Sequence, residues 1–179
     1  MKHKIITFLL FQLGWFACVL GAANSLASVG IMISLIVVWF HLRTTQHKFE
    51  ETALIGIVTI IGFSWDSALV QLGYFQYSNT ASSTFAPLWI VAMWTMFAST
   101  INTLFSWLKN RLLIAFLLGA VFGPIAYWSA SQLGAVNILD FPNALLLQSI
   151  GWGILMPGML ILSKLIYRNG HYPSLEKAK

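Results

Sequence analysis

Apolar residues in this chain come in blocks of about twenty, separated by short polar intervals. A hydrocarbon core of ~30 Å is crossed by about 20 helical residues rising 1.5 Å each. Six blocks satisfy that length, at about 5–23, 26–42, 52–74, 87–108, 112–133 and 144–167. Asn24 and Ser25 leave room only for a tight turn, which makes the first two helices antiparallel neighbours. Pro87 suits a first helical turn, where its missing N–H is harmless, and Lys109, Asn110 and Arg111 reverse the chain between the fourth and fifth spans. The predicted fold is all-α, a single transmembrane domain over 1–179 built as a polytopic bundle of six transmembrane helices. Small residues Gly21, Ala22 and Ala23 after a basic start give the first span some look of a signal peptide. Its apolar stretch exceeds the usual length and contains Gln12, so it is expected to be a retained helix of the bundle.

Composition sharpens the class. Hydrophobic residues make up 58% and charged residues 8% of the chain, against about 25% charged in soluble domains, so the protein is an integral membrane protein. Its net charge of +5 does not indicate nucleic-acid binding, because the basic residues sit in short loops between apolar blocks and not on one folded surface. With six spans, all ten lysines and arginines fall on one side, and none lies in the loops containing Ser78 or Asn137. The positive-inside rule makes that side the cytoplasm, with both termini there; Lys164 reaches the edge by snorkelling. Cys18 is the single cysteine and lies inside the first span, which excludes an intrachain disulfide and a cysteine metal cluster. His3, His41, His47 and His171 are scattered at the membrane edge without paired spacing, so no metal site and no cofactor is expected.

Asp66 then stands out, because an ionisable residue within a membrane span is costly and is a functional-site candidate by default. Gly56, Thr59, Gly62, Asp66 and Gly73 fall along one side of a helix, a small and polar face expected to look into the bundle. No cation can reach Asp66, whereas Trp94, Tyr127 and Trp152 come out at similar depths and offer N–H or O–H donors. The fourth span carries a seam of Thr95, Ser99, Asn102 and Ser106 on one expected helical face, and Gln12 lies at the depth of Asn102. Asp66, Trp94, Tyr127, Trp152, Asn102 and Gln12 are therefore the candidate ligand or proton site residues; interhelical hydrogen bonding is the simpler role for each. Gly119 and Gly123 give the fifth span a close-packing face with a kink expected at Pro124, and Gly151, Gly153, Pro157 and Gly158 predict an irregular sixth span. Trp39, Trp107 and Trp89 are placed at the membrane boundaries as an aromatic belt, while Trp15, Trp65, Trp94, Trp128 and Trp152 are deeper and could line a cavity.

Gln-Leu-Gly occurs at 12–14, 71–73 and 132–134, and Gly62 and Gly123 precede the second and third copies by the same distance. Three two-helix hairpins would give such a period, although the abundance of Gly and Leu in membrane helices accounts for it more simply. Phe11-Gln12-Leu13-Gly14-Trp15-Phe16, His41-Leu42-Arg43, Asp66, Pro87-Leu88-Trp89 with Trp94 and Asn102, and Gly123-Pro124 with Tyr127-Trp128 form a pattern spread over nearly the whole chain. In these features the chain resembles the bacterial inner-membrane domain of unknown function 2878 family, uncharacterised small polytopic membrane proteins. The resemblance implies a bacterial inner-membrane protein and points to membrane lipid and a lipid-modifying partner protein, without supplying an activity. Three functional readings follow. The protein binds or helps handle a lipid-like molecule in an intramembrane cavity near Asp66; or it is an intramembrane enzyme acting on a lipid or isoprenoid with Asp66 as general acid; or it is a small proton-coupled transporter.

Overall fold

The computed structural model describes residues 2–79 and 84–169. The expectations that touch Thr80 and the basic tail with His171, Lys177 and Lys179 lie outside the described residues. Six α-helices form the bundle: α1 (Lys2–Ala23), α2 (Ala27–Thr44), α3 (Lys48–Gln71), α4 (Leu88–Ala98), α5 (Leu112–Gln132) and α6 (Phe141–Asn169). Five of them are long and apolar enough to cross a membrane, α4 being too short alone. Their outward surfaces are apolar: Phe8, Met32, Ile36, Ile60, Leu113, Phe122 and Ile154 are all exposed. Such a surface suits lipid as the surrounding solvent. The N-terminal hairpin is tight because Gly30 sits directly against the backbone of Ala17 and Cys18, and the Cys18 thiol lies 3.2 Å from the Ser34 hydroxyl.

The fourth block is where helix periodicity misleads. Instead of one helix over 87–108, α4 ends at Ala98, a run of turns follows, and a short 3₁₀ turn closes at Ser106–Leu108. Hydroxyls explain the break. Ser99, Thr100, Thr103 and Ser106 each donate to the backbone carbonyl three residues earlier, Met96, Phe97, Thr100 and Thr103. Local bonds of this kind compete with the helical ladder. The expected seam therefore does not form a single face: Thr95 donates to Val91 and receives the Thr59 hydroxyl, while Asn102 belongs to a different cluster.

Both prolines lie inside continuous helices, Pro124 in α5 and Pro157 in α6. A helix-interior proline frees the carbonyl four residues earlier. For Pro124 that carbonyl is Ala120, and it accepts a 2.8 Å hydrogen bond from the Ser149 hydroxyl of α6. Thus the neighbouring helix satisfies the group that lipid could not. Gly119 lets α5 approach the Trp152 backbone of α6, as the small-residue spacing predicts.

Two short strands, β1 (Phe75–Tyr77) and β2 (Val136–Ile138), were not foreseen. They pair antiparallel with Gln76 opposite Asn137 and cap one end of the bundle. The Gln-Leu-Gly copies at 71–73 and 132–134 produce them: α3 ends at Gln71 and α5 at Gln132, and Gly73 (φ +76°) and Gly134 (φ +81°) take the left-handed conformation that ends each helix. The copy at 12–14 differs, lying inside α1 with Gly14 against the Met96 side chain. Asn79 ties the sheet to α1 by donating to the terminal carbonyl of Ala22, 2.9 Å away.

Candidate functional site

Asp66 lies on the buried face of α3 with Leu54, Val58, Gly62 and Leu69, and it has no solvent exposure. Gly56 and Gly73 do not share that face; Gly56 is exposed and Gly73 lies beyond the helix end. Three aromatic groups donate to the carboxylate. Trp94 Nε1 stands 2.6 Å from Oδ2, while the hydroxyls of Tyr127 and Tyr77 stand 2.7 and 2.9 Å from Oδ1. An indole N–H can only donate, so this arrangement suits the carboxylate form. Asp66 has no lysine or arginine partner among the described residues. Tyr77 was missed from sequence because it follows the helix, and only the return of the chain at Gly73 and the pairing of β1 bring it back over α3.

Trp152 joins the group by stacking instead of bonding. Its ring lies parallel to that of Trp94, with centroids 4.8 Å apart and planes 11° apart. Each indole occupies a place kept open by a glycine: a Cβ on Gly62 would run into Trp94, and one on Gly123 into Trp152. Trp89, expected at a membrane boundary, sits in the first turn of α4. It is 3% exposed and meets Tyr77 edge to face at 5.5 Å. Trp39 and Trp107 are exposed and carry Arg43 and Arg111 over their rings.

A cavity of about 810 Å³ opens beside this cluster. Its walls come from α1 (Phe11, Gln12, Trp15), α4 (Trp89, Met93, Trp94) and α5 (Leu118 to Leu133), with Trp152 and Met156 behind and Tyr77 and Val136 at the strand end. Phe16, Phe122 and Trp128 on its rim are exposed. Asp66 does not line it and meets it only through Tyr77, Trp94 and Tyr127, whose rings do. Of the deep tryptophans, Trp15, Trp94, Trp128 and Trp152 line the cavity, whereas Trp65 turns away to donate to Gln148 of α6 at 3.0 Å.

A second polar cluster occupies the opposite end of α3. Glu51 is 2% exposed, and its Oε1 accepts from Asn102 at 2.9 Å and from the Tyr167 hydroxyl at 2.7 Å. Ser163 donates to the Asn102 carbonyl oxygen at 2.6 Å. His41 Nε2 stands 3.2 Å from Glu51 Oε2, close enough for an ion pair but misaligned for a hydrogen bond. Asn102 thus works with Glu51 and not with Gln12 or Asp66. In the sequence Glu51 lies just before the third apolar block. Its burial depends on the break in α4, which turns Asn102 toward α3, and on the length of α6, which carries Ser163 and Tyr167 to the same place.

The described residues contain no group of three or more His, Cys, Asp or Glu able to hold a metal ion. Five helices long and apolar enough to cross a membrane mark a multi-pass membrane protein. The chain matches the family described as Protein of unknown function (DUF2878) over residues 4–158, and it belongs to that family. Searches of curated proteins and of solved structures gave no match.

Proposed function

We propose that this protein is a six-span bacterial inner-membrane protein with cytoplasmic termini that binds or helps handle a lipid-like molecule in the cavity beside Asp66. The observation that carries the reading is the cavity itself, about 810 Å³ with aromatic walls and an exposed apolar rim between α1 and α5. Its size falls in the range of about 300–1,000 Å³ typical of small-molecule sites. A rim of Phe16, Phe122 and Trp128 offers a way in from the bilayer and not from water. Asp66 acts as a positioning residue: by accepting from Tyr77, Trp94 and Tyr127 it fixes three side chains of the cavity wall. The same bonds weigh against a general acid, which needs contact with its substrate.

Mass spectrometry of apolar molecules retained through purification tests this, with lipidomics of a deletion strain as the cellular counterpart. Ala126 lines the cavity, and Ala126→Trp is expected to lose the retained molecule while still inserting and folding. Equal retention by the filled variant, or no retained molecule in the unmodified protein and an unchanged lipidome, would overturn the proposal.

A further inference from the structure

Several polar groups of the cavity wall make no hydrogen bond; the buried indole N–H groups of Trp89 and Trp152 can only donate, whereas the Gln12 amide can also accept. Gln12 sits half-buried near the middle of α1, lines the cavity, and its amide makes no hydrogen bond with any described residue. Of the other polar groups, Tyr77, Trp94 and Tyr127 donate to Asp66, Ser129 and Gln132 lie toward the strand end of α5, and Trp89 and Trp152 offer an N–H but no acceptor. An amide held among Phe11, Trp15 and Phe16 at that depth has no water to satisfy it, which costs free energy unless a partner arrives. It carries a donor and an acceptor, so it fits a hydroxyl or a carbonyl oxygen.

Charge narrows the class further. Among the described residues, no lysine, arginine, aspartate or glutamate lines the cavity. An anionic head group would enter low dielectric without a cation to meet it, on the side of the bundle that already holds the Asp66 carboxylate. A cationic head group finds no free anion either, because Asp66 is enclosed by its three donors. Resting on the lipid-binding reading above, we infer that the cavity takes a neutral single-chain lipid bearing a hydroxyl or carbonyl oxygen, which Gln12 recognises. The chain then runs along the aromatic wall toward Phe105, Leu108 and Leu118.

Four brominated probes with the same eighteen-carbon chain separate the possibilities by saturable quenching of tryptophan fluorescence in detergent micelles at pH 8: the alkane, the alcohol, the carboxylic acid and the trimethylammonium derivative. One net hydrogen bond is worth about 1 kcal/mol, so the alcohol should bind about fivefold more tightly than the alkane, and more tightly than both charged probes. Gln12→Leu should bring the alcohol down to the level of the alkane; Gln12→Met, closer in shape, repeats the measurement. The ranking on the unmodified protein decides by itself if neither variant inserts. Saturable binding with the alkane equal to the alcohol, or with a charged probe tightest, overturns this inference and leaves the lipid cavity standing. Absence of saturable quenching by all four overturns both.

Discussion

Asp66 accepts a 2.7 Å hydrogen bond from Tyr127, and the two residues are 61 positions apart in the chain. That is also the interval between the Gln-Leu-Gly segments that end α3 and α5 and between Gly62 and Gly123. The two strands obey it as well, for Gln76 pairs with Asn137, its own counterpart. On either side of that pair, Ser78 N–H donates to Ala135 and Leu139 N–H donates to Tyr74, both at 3.0 Å. These relations describe a local two-fold arrangement of the ends of α3 and α5 and the strands that follow them. Trp94 and Trp152, each seated on its glycine, stack on one another. Asp66 and Tyr127 stand at that same interval of 61 positions and differ in chemistry, so their hydrogen bond joins α3 to α5, whereas Tyr77 and Trp94 reach Asp66 from β1 and α4.

Equivalent glycines should respond alike. Gly62→Ala and Gly123→Ala each push a methyl group into a stacked indole and are expected to destabilise the protein by about 1–3 kcal/mol. Gly56→Ala meets nothing within 4 Å and should stabilise α3 by about 0.5–1 kcal/mol through helix propensity. Thermal unfolding in micelles, followed by tryptophan fluorescence, checks the signs. Loss of stability in Gly56→Ala, or none in the other two, would remove the steric account of the pair.

Helix length and membrane class were legible because they depend on runs of apolar residues, which a bilayer enforces directly. Asp66 was legible for the same reason, since any acid in a span must find donors, and Trp94 and Tyr127 were recoverable from depth alone. Tyr77 was not, because its approach depends on a left-handed glycine and a strand pair beyond the helix. Ser99 to Ser106 read as one helical face although their hydroxyls unwind the helix that would create it. Glu51 was hidden by that same error, since its partners Asn102 and Tyr167 become neighbours only when α4 stops short.

The Glu51 cluster should behave as one unit. Glu51→Ala leaves Tyr167 and Asn102 without their acceptor and is expected to cost about 3 kcal/mol, against about 1 kcal/mol for Tyr167→Phe. Because the two act through one carboxylate oxygen, the double variant should be little worse than Glu51→Ala. A double-mutant cycle by thermal unfolding measures this. Additive losses would show that Tyr167 contributes through packing against His47 and Lys109 instead.

Topology follows from the charges at the helix ends. Arg43, Lys48, Lys109, Arg111 and Lys164 lie at the end of the bundle opposite the strands, the end that the positive-inside rule predicts to face the cytoplasm. Alkaline phosphatase fused after Lys48 or Asn110 should be inactive, and after Asn137 active. Activity after Asn110 would mean that 88–108, with only eleven α-helical residues in α4, does not cross the membrane.

Substitution of Asp66 separates a hydrogen-bond hub from a group that must exchange a proton. Asparagine keeps one oxygen for the Trp94 N–H, and its amino group can face the phenol oxygens of Tyr77 and Tyr127, which can accept as well as donate. Exchanging charge-assisted for neutral bonds is worth about 1–2 kcal/mol, so Asp66→Asn should insert and fold with a modest loss of thermal stability. Asp66→Leu removes the acceptor from three donors at once, at about 1–3 kcal/mol for each donor left buried and unpaired. It should therefore fail to fold or melt far lower. Because Asp66 meets the cavity only through the three rings it holds, Asp66→Asn should keep saturable binding of the neutral probe to within about twofold. A folded Asp66→Asn protein that no longer binds would show that the charge of the carboxylate, and not the bonds that orient the cavity wall, is what the site requires.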